Sequence, residues 1–131
     1  MSATDVELVR NTFASLPRDG YESLIDRVHP DFSMETLPGM AAEPQVYEGP
    51  AGMRLWWESF YEVMDEVRIE PDEIRDAGDG RVVVAFTMKA TGQSSGLEAA
   101  QTAFMLIQLK DDLMRRVDLF FSLEDALAAA G

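Results

Sequence analysis

The chain has 131 residues, and its 11 Lys and Arg against 24 Asp and Glu give a formal net charge of −13 at pH 7. At about 150 residues per domain this length fits a single domain over 1–131, and the 47% of hydrophobic residues is ordinary for a globular core. A negative field of this size repels phosphate backbones and anionic lipids, which argues against nucleic acids and membrane surfaces as partners.

The residue types that are missing narrow the chemistry further. The chain has no Cys and a single His, His29, which excludes disulfides, thiol catalysis and a multi-histidine zinc site. The sequence contains no glycine-rich phosphate-binding motif and no cluster of soft metal ligands, so we expect no nucleotide cofactor and no metal. The sequence shows no secretion signal and no apolar run long enough to span a membrane, from which we expect a cytoplasmic location.

Two helices are predicted at the N-terminus. Residues 4–7 have the form of a capping box, which predicts a first helix over 5–16 that ends at Pro17. A second, shorter helix over 19–28 should end at His29, because a residue before proline is disfavoured in the α region.

A short strand and a third helix are predicted next. Phe32, Met34 and Thr36 alternate with their neighbours, which predicts the strand, and residues 38–50 are predicted to form a long loop. The third helix should begin at 49–50, because proline is favoured in a first helical turn. Its broad apolar face consists of Met53, Trp56, Trp57, Phe60, Val63 and Met64.

The pattern changes to strands from residue 66 onward. Strands are predicted at 67–69 with 74, at 81–91, at 99–109 and at 113–121, with turns at 78–80, 92–96 and 111–112. Consecutive strands with such connections should form an antiparallel meander. A last short helix is capped by Ser122.

The predicted sheet is apolar on both faces. Val83 and Ala85 interrupt the alternation of their strand, and residues 103–107 are apolar throughout, whereas a sheet with one wet face should alternate more cleanly. We expect the helices to cover one face and a second subunit to cover the other. This pattern predicts a homodimer.

Four segments, in this order, resemble the nuclear transport factor 2-like superfamily and specifically its SnoaL-like branch. They are ELVR at 7–10, VHPDF at 28–32, VYEGPAG at 46–52 and EDALAAAG at 124–131. The resemblance implies an α+β fold, a cystatin-like roll in which a cone-shaped, strongly curved antiparallel sheet wraps around the N-terminal helices. A pocket is implied at the open end of the cone. Such folds include enzymes and binding modules, so function must be argued from the site.

Three chemistries of the superfamily can be compared with the residues present. The steroid isomerase pattern is not met. Thr36 stands approximately where that pattern has its first-strand Asp, and residues 101–109 contain no acid. The epoxide hydrolase pattern lacks its Arg-x-Asp pair, and the polyketide cyclase pattern lacks its mid-sheet His. Both of the latter patterns keep a counterpart for their late Asp, which is Asp118.

Asp118 is the candidate general base of a catalytic site. A carboxylate desolvated in a buried strand becomes a stronger base, as catalysis near neutral pH requires, and the alternative is a structural ion pair with Arg116. Tyr21 and Tyr47 are candidate hydroxyl donors whose alternative role is packing. His29 is a candidate acid or base whose alternative role is a helix C-terminal cap.

Periodicity selects the walls of the implied pocket, which are Phe13, Trp56, Phe60, Phe86, Phe104 and Phe120. The sequence therefore predicts a homodimeric domain that binds an apolar or carbonyl-bearing small molecule. Two alternatives stay open. One is a cofactor-independent isomerase, cyclase, dehydratase or hydrolase with Asp118 as general base, and the other is a protein-interaction module.

Overall fold

Four helices and six strands make up the part of the chain that the structure describes. The structure is a computed structural model and describes residues 2–20, 22–35, 46–61, 64–92 and 98–130. In chain order the elements are α1 (Ser2–Asp19), α2 (Glu22–Ile25), β1 (Val28–Glu35), β2 (Val46–Glu48), α3 (Gly49–Tyr61), β3 (Met64–Gly78), β4 (Arg81–Gly92), β5 (Glu98–Lys110), β6 (Leu113–Phe120) and α4 (Leu123–Ala130).

The strands form one curved, unclosed six-stranded sheet in the order β2-β1-β6-β5-β4-β3. Strands β3 to β6 form the predicted antiparallel meander. Asp111 and Asp112 connect β5 to β6 with φ angles of 55° and 64°, the positive values that a two-residue hairpin turn requires. The sheet departs from antiparallel pairing at one place, because β1 and β6 run parallel.

The larger hydrophobic core lies between the N-terminal helices, α3 and the inner face of the sheet. On β4 the side chains of Val82, Val84 and Phe86 belong to this core and are at most 1% exposed. Phe13 of α1 and Trp57 of α3 belong to the same core. The mixed α+β architecture and the helices on the inner face are confirmed.

The outer face of the sheet carries a second, smaller core under helix α4. Val83 and Leu106 are buried there against Ala126 and Ala130 of α4. Ser122 caps this helix, since its Oγ accepts a hydrogen bond of 3.1 Å from the backbone N–H of Asp125. Val83 and Leu106, two of the apolar outer residues that predicted a second subunit, are therefore covered by the chain's own last helix.

The ends of α1 differ from the prediction. The helix begins at Ser2, so the capping-box pattern at 4–7 lies inside it, and it continues past Pro17 to Asp19. It ends at Gly20, which has a φ of 75° and donates a hydrogen bond of 2.8 Å to the carbonyl of Leu16. A glycine in the left-handed conformation, and not the proline, stops the helix.

The second helix is much shorter than predicted, because β1 replaces its C-terminal half. Helix α2 covers only 22–25, and β1 begins at Val28. His29 and Pro30 therefore lie in a strand, where β1 bulges before it pairs again with β6. The predicted alternation is seen further along β1, where Phe32 and Met34 are 1% exposed.

The two predicted pieces of β3 are one strand that passes through Pro71. β3 is an edge strand, so a proline there costs no ladder hydrogen bond. A bulge at Asp72 shifts the register, since Pro71 pairs with Phe86 and Glu73 with Ala85.

Parts of the remaining predictions fall outside the described residues. The predicted loop over 38–50 contains β2 and the start of α3, and its residues 38–45 are not described. Residues 93–97 of the turn between β4 and β5, and Tyr21, also lie outside the described part of the chain.

Candidate functional site

An apolar cavity of about 30 Å³ lies in the larger core, between the helices and the inner face of the sheet. Only apolar atoms form its surface. It is lined by Phe13, Leu24, Met34, Met53, Trp56, Trp57, Ile69, Met105, Met114, Val117 and Leu119. A water needs roughly 10–15 Å³, but it also needs polar partners, and this lining offers none. The cavity therefore suits apolar atoms better than water.

Aromatic side chains from the two long helices form one side of the cavity. Phe13 lies on the buried face of α1, and Trp56 and Trp57 follow each other on α3. The two indole rings are in an edge-to-face arrangement, with centroids 5.3 Å apart and an interplanar angle of 79°. Both tryptophans are at most 4% exposed, so packing fixes their orientation.

Methionines from four elements line the cavity. They are Met34 of β1, Met53 of α3, Met105 of β5 and Met114 of β6. Methionine is unbranched and flexible, so it can fill gaps of different shape. The lining therefore combines fixed aromatic rings with adjustable side chains.

The structure places the predicted wall residues in three environments. Phe13 and Trp56 line the cavity, and Phe86 is buried in the same core without lining it. Phe104 and Phe120 lie on the outer face, where they pack against the core under α4. They do not line this cavity, and their role as pocket walls stays a prediction. The side chain of Phe60 lies outside the described part.

Strand residues that the sequence analysis did not select line the cavity instead. Met105, Val117 and Leu119 are neighbours of Phe104 and Asp118 along the chain and point to the opposite face. The two-residue period of a strand carries this information, because alternate side chains point to opposite faces. The aromatic residues of these strands point to the outer face, and the apolar residues of opposite parity face inward.

Asp118 lies on the outer face of the sheet, away from the cavity. Its cross-strand partner is Leu106, which packs under α4. Its carboxylate accepts two hydrogen bonds from Arg116, one of 2.9 Å from Nε and one of 3.0 Å from Nη2. Asp118 therefore forms the ion pair with Arg116 that was its structural alternative and does not line this cavity, and its role as a general base stays a prediction.

The Arg116–Asp118 pair also has an electrostatic consequence. The hydrogen bonds to Asp118, and then the negative charges of Asp118 and Glu35, raise the pKa of Arg116 above its ordinary value. Arg116 is thus a permanent cation held on the outer face by the carboxylate of Asp118. Neither residue of this ion pair lines the cavity.

His29 is held in one orientation within β1. Its Nδ1 accepts a hydrogen bond of 2.9 Å from the backbone N–H of Asp31, and its Nε2 lies 3.7 Å from Oδ2 of Asp111. The neutral ring therefore carries its proton on Nε2, toward Asp111. His29 does not line the cavity. Its expected role as a helix cap is wrong, because no helix ends at this position.

Tyr47 is a core residue of the short strand β2. It is 4% exposed and packs beside the start of α3, where Gly52 approaches its backbone closely. It does not line the cavity. Tyr21, the other candidate hydroxyl, lies outside the described residues, so its role stays a prediction.

The described ranges between residues 2 and 130 lack two further kinds of feature. Within them, no group of three or more His, Cys, Asp or Glu side chains is arranged to hold a metal ion. Within the same ranges, no helix is both long enough and apolar enough to cross a membrane.

Comparison with known families decides where this chain belongs. The family model of the SnoaL-like domain matches residues 9–117. The chain belongs to the SnoaL-like domain family. The resemblance carried by the four sequence segments is thereby confirmed, and the SnoaL-like sheet and helices have the fold of the nuclear transport factor 2-like superfamily. No curated protein sequence matches.

Several solved structures share the SnoaL-like fold at low sequence identity. A nuclear transport factor 2-like protein of unknown function from Burkholderia pseudomallei has a TM-score of 0.77 and 17% identity, with 95% of both chains covered. A proposed polyketide cyclase from Xanthomonas campestris pv. campestris has a TM-score of 0.73 and 13% identity, with 99% of this chain and 98% of that chain covered. AclR, a proposed hydroxylase from Streptomyces galilaeus, has a TM-score of 0.73 and 17% identity, with 100% of this chain and 87% of that chain covered. These likenesses show the fold alone.

Proposed function

We propose that this SnoaL-like domain binds a small, uncharged, apolar molecule in the cavity between its helices and sheet. The observation that carries the proposal is the wholly apolar lining of that cavity. Burying an apolar group there is favourable, whereas a charged group would lose its hydration without a partner. The proposed cyclase and hydroxylase among the structural neighbours support a small-molecule site in this fold.

The size of the cavity sets a condition on binding. About 30 Å³ is far below the roughly 300–1,000 Å³ of typical ligand pockets, so a ligand must displace side chains. The methionines supply this freedom, because they change rotamer at low cost. We therefore expect binding with local rearrangement of the lining and an unchanged sheet.

Ligand binding can be followed through the tryptophans. The chain has only two, Trp56 and Trp57, and both line the cavity. A screen of apolar carbonyl compounds and terpenoids by thermal shift should yield ligands that saturate. A ligand in the cavity should also shift the tryptophan emission over the same concentration range. If no compound saturates, the proposal is overturned.

A filled cavity provides the decisive variant. Val117→Ile adds one methylene to the lining, and we expect it to retain stability and to weaken ligand binding about 10-fold or more. Val46→Ile makes the same change at a residue that is 53% exposed and should bind normally. Equal affinity in Val117→Ile and the unaltered protein would place the ligand elsewhere.

The alternative of an enzyme that uses Asp118 as general base receives no support from the geometry. Its carboxylate is on the outer face and bonded to Arg116. We expect Asp118→Asn to leave ligand affinity in the cavity unchanged, measured by the same titration. If Asp118→Asn lost turnover of an identified substrate while its stability was preserved, the result would support Asp118 as a catalytic base.

The homodimer and the cytoplasmic location stay predictions. Because α4 covers the apolar part of the outer face, a second copy would bind the remaining polar outer face, defined here as Glu70, Thr87, Lys89 and Thr102. In that region Lys89 donates to Glu70 at 3.0 Å. If light scattering at micromolar concentration gave the mass of one chain, the result would contradict the predicted homodimer.

A further inference from the structure

We propose that a second site, at the edge of the sheet, binds a hydrophobic α-amino acid in its zwitterionic form. The site is a cleft of about 440 Å³ between α1 and β3, called here the edge cleft and lined by Arg10, Pro71, Asp72, Glu73 and Ile74. Its volume is within the range of ligand pockets, roughly 300–1,000 Å³. None of these residues lines the apolar cavity, so the amino-acid site does not depend on the proposed function.

The bulge in β3 provides the acidic wall of the edge cleft. Pro71 is the last residue of one register with β4, and Glu73 begins the next, so Asp72 is the extra residue of the bulge. A bulge bends its strand and redirects side chains. Because β3 is an edge strand, the side chains of Asp72 and Glu73 stay exposed there.

Each of the two carboxylates has one oxygen fixed by the protein. The hydroxyl of Thr87 donates a hydrogen bond of 2.8 Å to Oδ2 of Asp72. Arg75 donates to Oε1 of Glu73 from Nε at 3.3 Å and from Nη2 at 2.8 Å. Within the described residues, the second oxygen of each carboxylate accepts no hydrogen bond. An ammonium group has three donors and no acceptor, so it can bond both of these oxygens.

Arg10 supplies the opposite charge. It lies on α1, is exposed, and forms no ion pair in the part of the chain that the structure describes. A guanidinium presents paired N–H donors that match the two oxygens of a carboxylate. The edge cleft therefore offers a partner for each charge of a zwitterion, with the α-carboxylate at Arg10 and the α-ammonium at Asp72 and Glu73.

The apolar residues of the edge cleft favour an aliphatic side chain on the ligand. Pro71 is exposed, and Ile74 is half-buried and packs against the larger core. Covering these side chains with an aliphatic group removes apolar surface from water. Glycine carries both charges without such a group, whereas leucine carries all three features. We therefore expect leucine to bind more tightly than glycine.

Three ligands that share an isobutyl group test the need for both charges. They are leucine, 3-methylbutan-1-amine and 4-methylpentanoate. The net charge of −13 by itself favours the amine. We expect instead that leucine binds more tightly than either by roughly 2- to 5-fold, as a second exposed ion pair provides. Amide shifts of Asp72, Glu73 and Ile74 in an NMR titration measure this. Leucine shifts that do not saturate, or an amine that binds as tightly as leucine, overturn the proposal.

Charge-removing variants assign the two ends of the ligand. Arg10→Gln should weaken leucine binding roughly 2- to 5-fold and should not weaken binding of the amine. Asp72→Asn keeps an acceptor for Thr87 and should weaken both. Arg27→Gln and Asp26→Asn make the same changes at exposed residues between α2 and β1 and should bind leucine normally. Equal leucine affinity in Arg10→Gln and the unaltered protein overturns the proposal.

Two measurements separate the edge cleft from the apolar cavity. Leucine should leave the tryptophan emission unchanged, and Val117→Ile should bind leucine as the unaltered protein does. If leucine shifted the emission and Val117→Ile weakened its binding, leucine would occupy the apolar cavity and the edge-cleft proposal would be overturned. If leucine did not bind, the edge-cleft proposal would also be overturned, while the screen with Val117→Ile would still decide the proposed function.

Discussion

Gly52 is a residue at which helix α3 approaches β2 closely. A Cβ atom built there would lie 2.9 Å from the carbonyl carbon of Tyr47. The obstacle is backbone and not a flexible side chain, so it can be relieved only by moving β2 against α3. The absence of a side chain at this residue sets how closely the strand and the helix pack.

Replacing Gly52 by alanine should destabilise the protein, which is the reverse of the usual effect. In an exposed helix the change stabilises by about 1 kcal/mol. Here we expect Gly52→Ala to lower the free energy of unfolding by about 1–3 kcal/mol, as overpacking does. Urea unfolding measures it, and Ala51→Gly at the adjacent exposed residue calibrates helix propensity. A more stable Gly52→Ala protein would contradict the close approach.

The ion pair of Glu22 and Arg54 predicts a pH dependence. Both carboxylate oxygens of Glu22 accept hydrogen bonds from Arg54, which joins α2 to α3. Hydrogen bonding to Arg54, more than its charge, lowers the pKa of Glu22 below its ordinary value of 4.5. A carboxyl group whose pKa is lowered on folding stabilises the folded state above its unfolded pKa. That contribution disappears as the pH falls through the folded pKa.

We therefore expect Glu22→Gln to be less stable than the unaltered protein at pH 7 and to approach it below the ordinary pKa of 4.5. Thermal melts from neutral to strongly acidic pH measure this difference. Glu58→Gln, an exposed change on α3, should not show the same convergence. A difference that grows on acidification would have the wrong sign for this ion pair.

Single residues also show why the candidate site was only partly predictable. Helical periodicity selects Phe13 and Trp56, and both line the cavity. On β6 a bulge at Arg115 determines which side chains face inward. The register shows the bulge, since Leu109 pairs with Met114 and Gln108 pairs with Arg116. A strand that is apolar on both faces does not reveal which parity points inward.

At the scale of elements, α4 explains why the strands are apolar on both faces. Ala126 and Ala130 are nearly fully buried against Val83 and Leu106. The sequence predicted this helix and its cap, but its amphipathic pattern does not name the surface on which it packs. The apolar outer residues were therefore attributed to a second subunit.

The cap of α4 can be tested by itself. Ser122→Ala removes the oxygen that accepts from the N–H of Asp125, and we expect it to lower the free energy of unfolding by about 1 kcal/mol. Ser122→Asp keeps an acceptor and should retain most of the stability. Urea unfolding of both variants measures this. Equal losses in the two would show that the cap contributes little.

Strand boundaries were predicted well where turns are local and poorly where pairing is distant. The hairpin at 111–112 and the meander follow from nearby residues. By contrast, the residues after α2 form strand β1 and not a longer helix, because they pair with β6, about 85 residues later in the chain. Such pairing overrides the local helical pattern.

At the scale of the whole molecule, the charge of −13 limits how two copies can meet. The polar outer face keeps its own hydrogen bonds, since Thr87 donates to Asp72 at 2.8 Å and Lys89 donates to Glu70. A dimer on this face would bury polar groups that are already satisfied and would bring like charges together. Its affinity should therefore depend on how far salt screens the repulsion.

If the homodimer forms, added salt should strengthen it. Raising sodium chloride from about 20 mM to about 500 mM shortens the screening length to a few ångströms. The dissociation constant, measured by sedimentation equilibrium, should then fall several-fold. Thr102→Glu adds a charge to the polar outer face and should weaken the dimer, whereas Asn11→Glu adds the same charge on the exposed side of α1 and should weaken it less. Dissociation promoted by salt would instead indicate an interface held by ion pairs.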